Sequence, residues 1–169
     1  MEQMIGQVLT LSRLEAGHSR ASHSMLNLAE LLRDVVSDAQ FEAQALGKDV
    51  SLDCPADISL QGDPELLLSA LENILRNAVK YAEHKVEVSA QQSNQQVSII
   101  ISDDGPGLPE QALEKIFSPF YRVSTARDRD SGGVGLGLAI AHSAINSHAG
   151  KIDAKNLKAG GLRISIDLS

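Results

Sequence analysis

LENILRNAVKY, residues 71–81, is the stretch of sequence that decides the fold. A helix turns about 100° per residue, so Asn73, Asn77 and Lys80 share one side of it, called here the polar strip. The opposite side collects apolar residues: Leu68, Leu71, Leu75, Ala78 and Ala82. Amide oxygens ligate hard cations and an ammonium group neutralises phosphate, so this strip has the chemistry of a cation and anion site. A solvated polar face is the competing interpretation, because most amphipathic surface helices carry one.

Length and composition predict one globular domain of ordinary size, or one domain with an appendage. The chain has 169 residues, and 43% of them are hydrophobic, which suffices for a core of ordinary size. The net charge of -7 argues against a nucleic-acid surface, because such a surface needs basic residues to neutralise phosphates. No apolar run approaches the roughly 18 residues that span a bilayer, so the chain is expected to be cytosolic in character.

Apolar periodicity divides the chain into helices and strands. A heptad-like seam in residues 1–15 predicts a helix that needs a partner, and residues 16–24 have the composition of a linker. The domain is expected to start near Met25, with a first helix from Leu28 to a stop at Gly47. Asp63 followed by Pro64 is typical of a helix start, and here it begins the helix of the polar strip.

Short runs of apolar residues, most of them alternating with polar ones, predict strands outside these helices. The predicted strands cover residues 50–54, 58–61, 86–90, 97–102, 152–154 and 162–168. A turn at Ser93 and Asn94 makes an antiparallel hairpin of the middle two, and a further helix is expected over 136–149. This order of elements indicates an α/β domain with helices packed on one face of a mixed sheet.

The DDGPGL segment, residues 103–108, follows the apolar strand at 97–102. Asp-Gly and Pro-Gly pairs are common loop breakers, so a structural turn is the simplest interpretation. A functional interpretation places the Asp103 carboxylate at a strand end, where it can accept a hydrogen bond from an amino group such as that of adenine. Gly105 and Gly107 would then let the backbone approach a flat ligand closely.

GGVGLGLAI, residues 132–140, precedes an apolar helix. Glycines at such a place free backbone N–H groups to face an anion, and the helix dipole adds to the attraction. The segment lacks the Lys and Ser or Thr of a Walker loop, and it does not directly follow a strand as a Rossmann fingerprint does. Some other phosphate-binding fold is therefore required.

A long loop, residues 103–133, connects the two glycine segments without regular periodicity, and a loop of this length is usually functional or mobile. It carries three aromatic residues and then three arginines: Phe117, Phe120, Tyr121, Arg122, Arg127 and Arg129. One interpretation is a loop pinned to the body by its aromatics, with solvated arginines. The other is a lid whose arginines meet a γ-phosphate.

In this order, the polar-strip helix, DDGPGL, the aromatic loop and the glycine segment resemble the N, G1, F and G2 boxes of sensor histidine kinases. The resemblance covers residues 25–169 and implies the Bergerat ATP-binding fold. This fold is a two-layer α/β sandwich whose mixed, mostly antiparallel sheet of about five strands is covered on one face by three helices. Residues 1–24 resemble the end of a dimerisation and phosphoacceptor helix plus a linker, and a lid is implied near 104–134. The segment YRVSTARDRDSGGVGLGLAI, residues 121–140, resembles the envelope-stress type of sensor.

The resemblance also implies roles for single residues. Asn77 matches the Mg²⁺-ligating asparagine, with Asn73 and Lys80 near the phosphates of ATP. Tyr81 would lie beside the nucleotide, and Asp103 matches the aspartate that reads adenine.

Further residues complete the implied site. Arg122 matches the arginine that closes the F box and is a candidate for the γ-phosphate, so the implied catalytic set is Asn77, Lys80 and Arg122. Arg127 and Arg129 have no fixed counterpart. The implied nucleotide contacts also include six residues of the glycine segments: Gly105, Gly107, Gly133, Gly135, Leu136 and Gly137.

The phosphoacceptor histidine of the family is not found in this sequence. It lies in a motif like HELRTP, and none of the five histidines has that context: His18, His23, His84, His142 and His148. His142 and His148 are expected to be surface or packing residues. The chain is therefore expected to be a fragment whose phosphoacceptor domain lies elsewhere in a full-length kinase. Such a kinase would be a homodimer in the bacterial inner membrane and would relay the phosphate to a response regulator.

Other ATP-binding proteins of the same fold are the main alternatives. Gyrase-type topoisomerases, mismatch-repair proteins and heat-shock chaperones carry a water-activating Glu four residues before the Mg²⁺-binding asparagine. Here that position is Asn73, whose amide cannot take a proton, and Glu72 is turned away by about 100°. This favours transfer over hydrolysis. A serine kinase of the anti-sigma type, and a nucleotide-binding module that transfers nothing, remain as alternatives.

Overall fold

A computed structural model describes residues 6–9, 11–12, 23–122 and 136–169. Residues 6–9 and 11–12 are helical, as predicted, and the rest of the predicted 1–15 helix lies outside the described ranges. From residue 24 the elements are β1 (Ser24–Asn27), α1 (Leu28–Ala45), β2 (Asp49–Asp53), β3 (Ser59–Gly62), α2 (Pro64–Tyr81), β4 (Lys85–Ser93), β5 (Gln96–Asp103), α3 (Glu110–Leu113), α4 (Gly137–Ser147), β6 (Lys151–Asn156) and β7 (Leu162–Leu168). Within these ranges, no helix combines the length and the apolar character that a membrane crossing requires.

The main sheet has five strands in the order β2-β4-β5-β7-β6. β2 runs parallel to β4, whereas β4–β5, β5–β7 and β7–β6 are antiparallel. Alternate side chains point to a single buried face: Val86, Val88, Ala90, Val97, Ile99, Ile101, Ile164 and Ile166. The mixed, mostly antiparallel sheet of the prediction is therefore confirmed.

Helices cover this buried face, and α2 is the central one. It packs against α1 on one side, against α4 on the other, and against β5 beneath it. Its buried residues have helical spacing: Leu67, Ala70, Leu71, Ile74, Leu75, Ala78 and Val79. The opposite face of the sheet carries exposed polar residues such as Glu87, Gln91 and Arg163. The predicted two-layer α/β sandwich is thus confirmed.

Both ends of α2 are fixed by side chains. The Asp63 carboxylate accepts hydrogen bonds from the backbone N–H groups of Glu65 and Leu66, at 3.0 and 3.3 Å, which confirms the predicted helix start. At the other end, Lys48 Nζ donates to the carbonyl of Val79 at 2.8 Å, where a cation also complements the helix dipole. The helix that carries the polar strip is therefore held in register at both termini.

Two elements differ from the sequence-based expectation. Ser24, assigned to the linker, begins β1, which pairs antiparallel with β3 in a separate two-stranded sheet. The strand predicted at 58–61 is therefore not part of the main sheet. It pairs with β1, at the start of the domain. The short helix α3 follows Pro109 inside the loop where no regular structure was expected.

Candidate functional site

The polar strip is half-buried, whereas a solvated face would be open to water. Asn73, Asn77 and Lys80 are each partly covered, and the exposed residue of this part of α2 is Arg76. The apolar side predicted for the helix is buried at Leu71, Leu75, Ala78 and Ala82. The three polar side chains are therefore partly covered by neighbouring parts of the fold.

Asn73 lies against the start of α4. Its amide Nδ2 donates to the carbonyl of Ser69 at 2.7 Å, which fixes the side chain. A Cβ added to Gly137 would lie 3.0 Å from Asn73 Oδ1, tighter than most real contacts. The glycine at the first position of α4 therefore lets the N-terminus of that helix approach α2 at the polar strip. Leu136, just before it, is fully buried.

The C-terminal end of α2 lies against the DDGPGL segment. A Cβ on Gly105 would collide with the backbone carbonyl oxygen of Tyr81, so only glycine fits there. Lys80 Nζ lies 4.9 Å from the centroid of the Tyr81 ring, within cation–π range. Asn77 is one helical turn from both Asn73 and Tyr81. The polar strip thus runs from the start of α4 to the DDGPGL segment.

Asp103 ends β5 and is one of the few buried charged residues of the described chain, with 7% exposure. Its Oδ1 accepts hydrogen bonds from the backbone N–H groups of Gly105, at 2.9 Å, and Leu162, at 3.3 Å. Burial raises the pKa of this carboxyl, although both hydrogen bonds act to lower it. Both bonds go to the same oxygen, so the arrangement fixes the orientation of the carboxylate.

Asp104 is a site residue that the sequence did not reveal. Its Oδ1 accepts from three consecutive backbone N–H groups, those of Glu83, His84 and Lys85, at 2.9, 2.9 and 3.1 Å. Its Oδ2 lies 3.3 Å from His84 Nδ1. Burial acts to raise the pKa of Asp104, but the hydrogen bonds from His84, Lys85 and Glu83 outweigh it and bring the pKa to about 2. This carboxylate holds the DDGPGL segment against the connection that follows α2.

We expect Asp104→Asn to lower the free energy of unfolding near pH 7 by about 1–2 kcal/mol, after allowance for solvent screening of a partly exposed carboxylate. The pKa in the folded state, about 2, lies below the ordinary value of 3.8. The charge therefore stabilises the fold above about pH 4, and this contribution is lost as the pH falls towards 2. Denaturant unfolding of both proteins between pH 7 and pH 2 measures the difference.

The control is Asp53→Asn, at an exposed carboxylate that ends β2. It should leave the free energy of unfolding almost unchanged at every pH. A difference between wild type and Asp104→Asn that stayed constant from pH 7 to pH 2 would contradict the proposed role of the charge.

Part of the aromatic loop is attached to α4. The Phe117 ring stacks on His142, with 5.5 Å between centroids and 24° between planes. Tyr121 packs against the core, whereas Phe120 is 61% exposed and has a positive φ of 64°. Arg122 is exposed at the edge of the described part of the loop. The structure therefore supports pinning by Phe117 and Tyr121. Gly133, Gly135, Arg127 and Arg129 lie outside the described residues.

His148 joins the end of α4 to the start of α2. It is buried, and its Nε2 accepts a hydrogen bond from the backbone N–H of Asp63 at 2.9 Å. The proton is therefore on Nδ1, which donates to the carbonyl of Ala144 at 2.7 Å. Burial lowers the pKa of His148, in keeping with a neutral ring. The prediction that His148 is a packing residue is confirmed.

Known proteins share this sequence pattern. The family described as histidine kinase-, DNA gyrase B-, and HSP90-like ATPase matches residues 62–169. The sensor histidine kinase CpxA of Escherichia coli strain K12 is 41% identical over 167 residues, which are 98% of this chain and 36% of that protein. The sensor protein VanS of Enterococcus faecium is 33% identical over 158 residues, which are 92% of this chain and 41% of that protein. The chain spans well under half of the length of these relatives.

Solved structures share the fold. The catalytic domain of histidine kinase ThkA superposes with a TM-score of 0.76 at 26% identity, covering 86% of this chain and 94% of that one. The similarity to CpxA fits the envelope-stress type of sensor. This chain therefore belongs to the family of histidine kinase-, DNA gyrase B- and HSP90-like ATPases, as an ATP-binding domain of the sensor histidine kinase type.

Proposed function

We propose that this chain is the catalytic part of a two-component sensor histidine kinase and transfers the γ-phosphate of Mg-ATP to a histidine on a separate dimerisation domain. One observation carries the proposal: α2 presents its polar strip between the start of α4, at Gly137, and the DDGPGL segment, at Gly105. Residues 25–169 are the proposed catalytic domain, and residues 1–24 the proposed end of the dimerisation helix with its linker.

The adenine end of the proposed site is Asp103. Its Oδ1 is occupied by two backbone N–H groups, so Oδ2 is the oxygen left to accept a hydrogen bond from the adenine amino group. Gly105 packs directly on the Tyr81 carbonyl, which holds the DDGPGL segment against the end of α2. The half-buried Tyr81 is the proposed neighbour of the base at this end of the site.

The phosphate end of the proposed site is the polar strip. An amide oxygen is a ligand that Mg²⁺ accepts, and Asn77 holds one in a half-buried position, so the residues present fit this ion. Lys80 supplies a positive charge one turn further along the helix. When bound, Mg²⁺ would offset the negative charge of the phosphates. Asn77 and Lys80 are thus proposed to orient the phosphates, and the start of α4 adds the partial positive charge of a helix N-terminus.

Transfer is favoured over hydrolysis by Asn73. Its amide donates to Ser69, and an amide cannot act as the base that activates water. With no base at this position, catalysis depends on orienting the γ-phosphate towards a nucleophile that another domain brings. The hydrolases of this family therefore differ from the present chain at the residue that would start their reaction.

The wider setting of the kinase is proposed by analogy with its relatives. CpxA of Escherichia coli is named a sensor histidine kinase, and this fits a cytoplasmic catalytic domain within a full-length protein of the bacterial inner membrane. A homodimeric kinase and a cognate response regulator complete the proposed system. Residues 104–134 would form the lid, with Arg122 as the candidate contact to the γ-phosphate.

Phosphotransfer in trans tests the proposal. The chain is incubated with Mg-ATP labelled at the γ-phosphate and with a separately prepared dimerisation domain of a related kinase. We expect labelled phosphohistidine on that domain, and no label when its histidine is replaced by glutamine. ATP binding without transfer would instead support a regulatory nucleotide-binding module. Release of inorganic phosphate without an acceptor would support a hydrolase.

A further inference from the structure

The DDGPGL segment is bound by a side chain from a distant strand. Asn156, the last residue of β6, donates from Nδ2 to the carbonyl of Leu108 at 2.6 Å. Its Oδ1 accepts from the backbone N–H of Leu108 at 2.9 Å. The amide group thus pairs with both backbone groups of one residue, as a neighbouring strand would. We call this pair of bonds the Asn156 clamp.

The backbone beside the Asn156 clamp has no room for a side chain. Gly107 has a positive φ of 73°, and a Cβ there would lie 2.7 Å from Asn156 Oδ1. The turn between β6 and β7 also touches the other end of the segment, because a Cβ on Gly161 would collide with the Asp103 carbonyl. The β6–β7 hairpin therefore supports the DDGPGL segment at Asp103 and again at Leu108.

We propose that Asn156 is a positioning residue for the nucleotide: its clamp fixes Gly107 and Leu108 in the conformation that accepts the ligand. The inference rests on the proposed function, since Asp103 and Gly107 would contact the nucleotide. Binding to a segment that is already ordered costs less conformational entropy than binding to one that must first be ordered. A clamp that raises the fraction of binding-competent protein raises the apparent affinity by the same factor.

The clamp is separable from the stability of the core. Asn156 is exposed at the end of an edge strand, and its replacement removes no buried apolar surface. A residue with a purely structural role would change the unfolding temperature and leave nucleotide affinity intact. Loss of the clamp should instead speed hydrogen exchange at the Leu108 amide and lower the affinity for the nucleotide. Its effect on global unfolding should be small.

The test compares the full chain with Asn156→Ala and Asn156→Asp. The aspartate keeps an acceptor for the Leu108 N–H but places a second oxygen against the Leu108 carbonyl. Lys158→Ala, at an exposed residue of the same hairpin turn, is the matched control. Hydrogen exchange at the Leu108 amide is measured without nucleotide, with the β5 amide of Ile101 as the reference for global unfolding. Calorimetry then gives the affinity for Mg-ATP.

We expect faster exchange at Leu108 in Asn156→Ala, unchanged exchange at Ile101, and a loss of Mg-ATP affinity of about tenfold in both variants, the equivalent of one or two hydrogen bonds. The control should match wild type in every measurement. If wild type binds Mg-ATP and both variants bind it equally well, the positioning role is overturned. If wild type itself binds no Mg-ATP, the proposed function is overturned, and the role of Asn156 towards the nucleotide is overturned with it.

Discussion

Asn77→Ala is expected to weaken the binding of Mg-ATP by on the order of 100-fold, because it removes the proposed protein ligand of the cation. Asn77 lies on the half-buried polar strip, one turn from Asn73 and near Lys80. Water can replace the missing amide oxygen, but it is not held in place by the helix. Phosphotransfer should fall at least as much as affinity, since an unfixed cation no longer orients the γ-phosphate.

A second substitution separates charge from geometry. Asn77→Asp keeps an oxygen at the metal position but adds a negative charge beside the phosphates and removes the N–H donors. We expect weaker binding of Mg-ATP than in wild type. Calorimetry with Mg²⁺ and with a chelator measures the metal-dependent part of the affinity. The control is Arg76→Ala, at the exposed neighbouring residue on the same helix. Equal Mg-ATP affinity in wild type and Asn77→Ala would contradict the metal role of Asn77.

Local patterns were sufficient for the central element and the main sheet. The period of the apolar residues in α2 and the Asp63 cap gave its position, alternation gave β4 and β7, and a more apolar run gave β5. β1 was missed because two of its four residues are exposed, the other two are only partly buried, and its apolar residues do not alternate with polar ones. It exists through antiparallel pairing with β3, more than thirty residues later along the chain, and no local pattern records such a contact.

The site residues stay predictions, and the residues that support the DDGPGL segment were not predicted from the sequence. The close approaches at Gly105 and Gly137 bring together segments that the order of motifs had already suggested. Asp104 and Asn156 were missed because each binds backbone groups far away in sequence, and backbone groups carry no sequence signal. One clue was available for Asp104: adjacent residues of a strand end point to opposite sides, so two consecutive aspartates cannot share one role. The roles of Arg127 and Arg129 stay predictions.

Asp103→Asn is expected to lower the affinity for ATP by about 100-fold and to reduce the preference for ATP over inosine triphosphate. The backbone N–H groups of Gly105 and Leu162 both donate to Oδ1 in wild type. In the variant the amide oxygen must take that position, because the amide nitrogen has no lone pair to accept them. The amide nitrogen then faces the adenine amino group. Both groups are hydrogen-bond donors, so the hydrogen bond to adenine is lost. Inosine carries a carbonyl at the same ring position, which the new amide can bind.

The same substitution should leave the fold intact, so that affinity and stability are separable. Burial raises the pKa of Asp103, which means that the charged carboxylate is not favoured by its surroundings, and a neutral amide of equal size relieves that cost. Titration calorimetry with ATP and with inosine triphosphate, beside a thermal unfolding curve, measures both quantities. Asp167→Asn, at an exposed carboxylate of β7, is the control and should bind ATP as wild type does. An Asp103→Asn protein that kept its preference for ATP would contradict adenine recognition by Asp103, because that preference depends on an acceptor facing the amino group.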